Sequence, residues 1–118
     1  MRVIVCGSRR WTDRKKIADR LFDLPVTSTI VVGYNPDRDT PKGADRLAYQ
    51  EAQKLGLTVE PHPADWERYG KRAGFVRNQE MVSLGAGLCL AFWDGLSNGT
   101  KDTIDRARAA GIKVEIIS

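Results

Sequence analysis

This 118-residue chain has almost no histidine and almost no cysteine, with one His and two Cys. Two thiols cannot build a disulfide framework, and with His62 alone they cannot complete a four-ligand zinc site. No metal and no cofactor is therefore expected. No apolar run approaches the ~18 residues of a membrane span, so a membrane partner is not expected either. Met1–Cys6 enters an apolar strand at once, so no cleavable leader is expected. The expected compartment is a reducing cytoplasm with both thiols buried. Linkers, internal repeats and low-complexity tracts are also missing, which leaves a single domain over 1–118. A chain of this length buries roughly 60–70% of its unfolded surface and needs no staples.

Most of the chain lacks a charge excess of one sign. Residues 1–20 carry seven basic and two acidic side chains, whereas the remaining 98 carry twelve basic and thirteen acidic. A local surplus points to one anion-facing region rather than a polycation. For Arg14, Lys15 and Arg20 taken singly, a solvated helix face is the expectation.

What is present is alternation. Five β-rich apolar runs cover Arg2–Cys6, Thr29–Val32, Leu57–Glu60, Leu88–Phe92 and Lys113–Ile117. Between them, helical spacing predicts segments from about Asp13 to Leu24, Gly43 to before Gly56, Tyr69 to Leu84, and Thr100 to Ala110. Five strands alternating with four helices imply an α/β fold with helices on both faces of a parallel sheet. Right-handed crossovers make the economical arrangement a doubly wound sheet of order 3-2-1-4-5. Ligands of open α/β sheets bind where that order reverses, which nominates the loops after Cys6 and after Phe92. The same order places Cys6 and Cys89 on adjacent central strands, as packing, with only Cys6 near a setting that favours reactivity.

The first nominated loop, Gly7-Ser8-Arg9-Arg10-Trp11-Thr12, combines a tight turn, a hydroxyl and a guanidinium fork before a helix N-terminus. It matches neither the G-x-G-x-x-G fingerprint nor the P-loop. The second, Trp93 to Thr100, offers Gly95, Ser97, Gly99 and Thr100 as an anion cradle, or simply as a helix cap. Two such loops at one switch point favour phosphate. Arg77 and Asn78, on the third helix, are candidates to clamp a phosphate or ribose. Trp66, Tyr69 and Trp93 are candidates to stack a base, against the commoner role of aromatics in a core. His62, between two prolines, reads as structural. Gly43 and Asp45 open the second helix, where Asp45 either complements the dipole or accepts ribose hydroxyls. The Gly33–Pro41 loop exceeds the usual ~2–6 residues, and excess length marks a lid, a binding loop or a partner contact.

Taken in order, Val5-Cys6-Gly7-Ser8-Arg9, Gly43-Ala44-Asp45-Arg46-Leu47-Ala48, Pro63-Ala64-Asp65-Trp66, Gly70 with Ala73-Gly74, Arg77-Asn78 with Met81, and Ala91-Phe92-Trp93-Asp94-Gly95 with Ser97, Gly99 and Thr100 resemble the YspA-like (cpYpsA-related) branch of the SLOG superfamily. The resemblance spans nearly the whole chain. It implies a single three-layer Rossmann-like domain that binds a nucleotide or nucleotide-derived ligand. Two departures stand out. The family's short Gly-Gly-Ala-Arg/Lys-Gly-Ala-Asp turn survives only at its ends, as Gly33 and Lys42-Gly43-Ala44-Asp45. The related LOG phosphoribohydrolases carry P-G-G-x-G-T-x-x-E, and here its Glu falls on Thr103. Asp102 lies one residue away, turned by about 100° on a helix.

Three functions follow as expectations. The first is a nucleotide-binding module using Gly7, Ser8, Arg9, Gly43, Asp45, Arg77, Asn78, Gly95, Ser97, Gly99 and Thr100. The second is a nucleotide N-glycosidase, with Arg77 and Asp102 as catalytic candidates and Asp94 or Asp45 as other carboxylates. The third is nucleic-acid binding, as in the more distant relative DprA, ranked last because the basic surplus is local. Self-association through the Tyr34–Pro41 insertion is a further expectation.

Overall fold

A computed structural model describes residues 1–118. Five parallel strands, β1 (Arg2–Gly7), β2 (Thr29–Val32), β3 (Thr58–Pro61), β4 (Leu88–Phe92) and β5 (Val114–Ile117), form one sheet of order β3-β2-β1-β4-β5. The predicted Rossmann-like topology is thus the observed one. Strands buried on both faces read as continuous apolar runs, and all five residues of β4 are buried.

Alternation along β1 divides the core. Val3 and Val5 face α1 (Arg14–Phe22) and α2 (Ala44–Lys54), where Ile17, Leu21, Leu47 and Ala48 complete a cluster with Phe92. Ile4 and Cys6 face the opposite way, onto Met81 and Val82 of α4 (Ala73–Ser83) and Ile104 and Ala107 of α5 (Asn98–Ala109). Cys6 and Cys89 share that second cluster. No helix is long and apolar enough to cross a membrane.

The helix expected from Tyr69 to Leu84 is not continuous. A single turn, α3 (Trp66–Tyr69), is followed by a 3-10 turn over Gly70–Arg72 before α4 begins. Gly70 has φ +58°, outside the helical region, and the chain bends there. The break separates the short turn Trp66–Tyr69 from α4, which returns the chain from the carboxyl edge of the sheet to β4.

At the end of β1, a Cβ on Gly7 would overlap the Ala44 Cβ and the Phe92 carbonyl oxygen. Gly7→Ala is expected to lower stability by about 1–3 kcal/mol through overpacking, measured by urea unfolding monitored by circular dichroism.

Candidate functional site

Past the carboxyl ends of the central strands lies a cavity of about 220 Å³, reached from both nominated loops. Arg9 from the first and Ser97, Gly99 and Thr100 from the second all line it. Segments ninety residues apart therefore meet. The cavity opens past Pro41 and Trp66 into a broader groove of about 870 Å³ between the 33–41 loop and residues 63–67.

Two opposite charges dominate the interior. Asp45, in the first turn of α2, is half-buried as a residue, but its Oδ1 is shut off from solvent and accepts from no group in the protein. Burial raises its acid to about 7, against the lowering pull of Arg77 and then Arg9. Neither guanidinium comes close enough to pair with it. Arg77 is pulled below its ordinary value by burial, partly offset by Asp45.

Arg77 is held by geometry. Its guanidinium lies against Gly33, where a Cβ would fall 2.6 Å from Cζ and 2.7 Å from Nη1. Nε donates to Asn78 Oδ1 at 2.9 Å and Nη1 to the His62 carbonyl at 3.3 Å, leaving Nη2 uncommitted. Asn78 in turn donates to Asp102 Oδ2 at 3.1 Å, which also accepts from Arg106 Nε at 2.8 Å. A polar chain thus runs from α5 through α4 to the cavity. Asp102 is a link in that chain and not a member of the cavity wall. The position where the LOG motif carries Glu, Thr103, does face the cavity, and its hydroxyl donates to the Gly99 carbonyl at 3.3 Å.

Eight of the eleven ligand-binding candidates line the cavity: Gly7, Arg9, Asp45, Arg77, Asn78, Ser97, Gly99 and Thr100. Ser8, Gly43 and Gly95 do not. Ser8 is buried and stitches the loops together. Its Oγ accepts from the Asp94 amide at 3.2 Å, and its carbonyl accepts from the amides of Trp11 and Ala44. Gly43, at φ +82°, packs on the Ser8 and Arg9 carbonyls, where no side chain fits. Gly95 forms an exposed turn at φ +84°. Asp94 closes that turn, accepting from the amides of Leu96 and Ser97, which hold its carboxyl low. The carboxylate within the cavity wall is Asp45.

Among the aromatics, Trp66 reaches the rim together with Phe75, whereas Trp93 packs on the core and donates to the Ser97 carbonyl at 3.1 Å. Tyr69 carries Arg68 over its ring and lies outside the wall. Lys71 and Pro41 complete the rim. Lys71, Phe75 and the Gly33 seat were not singled out from sequence, since which of these residues meets the cavity or Arg77 is settled by tertiary packing. Cys6 contributes to the wall, but hydrogen bonding to Cys89 and burial push its thiol well above its usual range. It is protonated packing, not a nucleophile.

The basic surplus of the first twenty residues is mostly paired. Arg2, Arg14, Lys15 and Arg20 engage Glu60, Glu51, Asp19 and Glu115, and Lys16 donates to the Ser118 carbonyl. Arg9 and Arg10 make no such contact. His62 is buried between Glu80, 3.0 Å from Nδ1, and Glu60, 2.6 Å from Nε2, a structural setting.

A doubly wound domain with a charged cavity at its switch point defines the class, an α/β fold of the Rossmann-like kind. Within it, the chain belongs to the YspA, cpYpsA-related SLOG family, whose model matches residues 1–69. Membership points to a nucleotide-related function. The chain is also similar to the Gene 61 protein of Mycobacterium phage D29, 44% identical over 116 residues, covering 96% of this chain and 93% of that one. The family match includes Gly7, Arg9, Gly33 and Asp45, and the phage relative extends the likeness across α4 and α5.

Asp45 makes stability depend on pH. Its folded value near 7 lies above the ordinary 3.8, so the unfolded chain loses this proton first as pH rises. The contribution is present at acid pH, declines between about pH 4 and 7, and stays lost above. Asp45→Asn is expected to be more stable than the parent by roughly 2–4 kcal/mol at pH 8 and equal to it at pH 4, read from thermal unfolding across that range.

Proposed function

We propose that the cavity binds a nucleotide or nucleotide-derived small molecule, with its anionic group between Arg9, Arg77 and the amino end of α5. The observation that carries this reading is Arg77. A largely buried guanidinium with no carboxylate partner is costly unless an anion supplies the missing charge. Its fixed seat on Gly33 and its uncommitted Nη2 suit a bidentate oxygen pair. Arg9 adds a second unpaired guanidinium, and the backbone amides of Asn98 and Gly99 have no acceptor within the chain. Helix amino ends favour anions in that geometry.

The rim supports a base at the other end. Trp66 and Phe75 are 54% and 45% exposed and leave ring surface available at the cavity mouth. The pairing of most basic residues in the first helix favours a small ligand over a nucleic-acid backbone. A glycosidase keeps one observation in its favour, namely that Asp45 titrates near neutrality inside the cavity, as a general base would. Under the binding reading, no free base is released from any nucleoside monophosphate by chromatography.

Calorimetry against nucleoside monophosphates tests the proposal. Arg77→Ala is expected to weaken the best ligand by about 10–100-fold, as does loss of a charge-assisted hydrogen bond. Gly33→Ala, which keeps the charge but displaces the guanidinium, is expected to weaken the same ligand in the same direction. Equal affinity in both variants and the parent, or no binding by any monophosphate, overturns the reading.

A further inference from the structure

Asp45 is the cavity carboxylate, and the fold leaves its hydrogen-bonding capacity uncommitted. Asp102 and Asp94 are satisfied by Asn78, Arg106 and backbone amides. Asp45 is not: Oδ1 is closed off from water without a donor, and Oδ2, which is not closed off, receives none either while the residue lines the cavity. A carboxylate left without donors in a cavity wall is destabilising, and a ligand donor at the open Oδ2 would relieve that cost.

Three kinds of group meet such an oxygen: a metal cation, a second acid sharing a proton, or a neutral O–H or N–H donor. A cation would sit among Arg9, Lys71 and Arg77, which line the same cavity and repel it. No cluster of three or more metal-ligating side chains exists to offset that repulsion. A second anionic group would be repelled by Asp45 itself once ionised. A neutral donor meets neither objection.

The donor must also lie close to the ligand's anionic group. Asp45 shares the wall of one small cavity with Arg9 and Arg77, the two guanidiniums of the anion subsite. In a nucleotide the groups a few bonds from phosphate are the sugar hydroxyls, whereas base N–H groups lie farther off, toward Trp66 and Phe75 at the rim. Resting on the nucleotide reading above, we propose that Asp45 accepts a hydrogen bond from a ribose hydroxyl of the ligand and thereby selects ribo over deoxyribo forms. Sites built to bind a hydroxyl reject analogues that lack it, because the buried polar group is then left unpaired.

The test is calorimetry with the full chain at pH 8, where Asp45 is ionised. The probes are AMP, its 2′-deoxy and 3′-deoxy forms, ribose 5-phosphate and 2-deoxyribose 5-phosphate. The parent is expected to lose about tenfold or more in affinity when one hydroxyl is removed. Asp45→Asn is expected to shrink that gap to roughly threefold or less, with inorganic phosphate bound at least as well as by the parent. Equal affinity of the parent for AMP and both deoxy forms overturns the hydroxyl assignment and leaves nucleotide binding standing. An undiminished gap in Asp45→Asn overturns Asp45 as its origin. Discrimination between the two sugar phosphates without binding of AMP retains the hydroxyl assignment and removes the nucleotide reading. Binding of none of the five probes overturns both.

Discussion

Arg77 and Asp45 carry opposite charges into one small cavity and are kept from pairing. Everything at the carboxyl edge of the sheet follows from that separation. A direct ion pair would satisfy both groups and close the space between them. Instead Gly33 gives Arg77 a flat seat at the end of β2, while Asp45 projects from the first turn of α2. Burial then acts on both, raising the carboxyl toward neutrality and drawing the guanidinium below its ordinary value. Such an arrangement lowers stability locally, and sites that bind charged ligands commonly carry this cost.

Holding the separation requires a supporting shell, and the chain provides two. One is the relay Arg106–Asp102–Asn78, which aims Arg77 through its Nε and ties α4 to the helix that follows the second loop. The other is Ser8, whose amide, carbonyl and hydroxyl join the first loop to β4, α2 and Asp94. The two loops and the amino end of α2 are thereby fixed as one unit. Rotamers locked by a second layer of hydrogen bonds are what an accurately placed binding group needs.

The topology was legible because it rests on periodicity, alternation and the handedness of crossovers, all of which are properties of the chain read locally. The meeting of Arg9 with Thr100 followed from that topology. Individual roles were less legible. Ser8 and Arg9 are adjacent and both suit phosphate by type, yet one turns inward to the loop and the other to the cavity. Asp102 and Thr103 differ by one position on α5, and the helical rotation that points Thr103 into the cavity turns Asp102 onto Asn78. The break at Gly70 was hidden by good helical spacing on either side of it. Its positive φ is a tertiary choice that composition does not announce, and Lys71 and Phe75, which follow it closely, line the cavity.

The 33–41 insertion shows how this chain varies a shared plan. Excess loop length reads as a lid, a binding loop or a partner contact, and here Asp39 braces it from three sides. Asp39 accepts from the Tyr34 hydroxyl, from Lys42 Nζ at 2.6 Å and from Arg46 Nε at 2.9 Å, and these partners hold its carboxyl down to about 2. Asn35 and Thr40 exchange backbone hydrogen bonds across its base, and Tyr34 packs on Tyr49 at 4.9 Å. The insertion is an internally braced wall. Pro41 touches the inner cavity, while Asn35, Arg38 and Thr40 border the outer groove alone. The inner cavity is therefore built largely from the residues that carry the family resemblance, whereas one wall of the outer groove, Asn35, Arg38, Thr40 and Pro41, is the segment in which this chain departs from it. In the proposed reading, the phosphate and sugar end of a ligand would be recognised by the shared part of the fold. Whatever distinguishes this protein's ligand from those of its relatives would be sensed at the far end, against the braced loop.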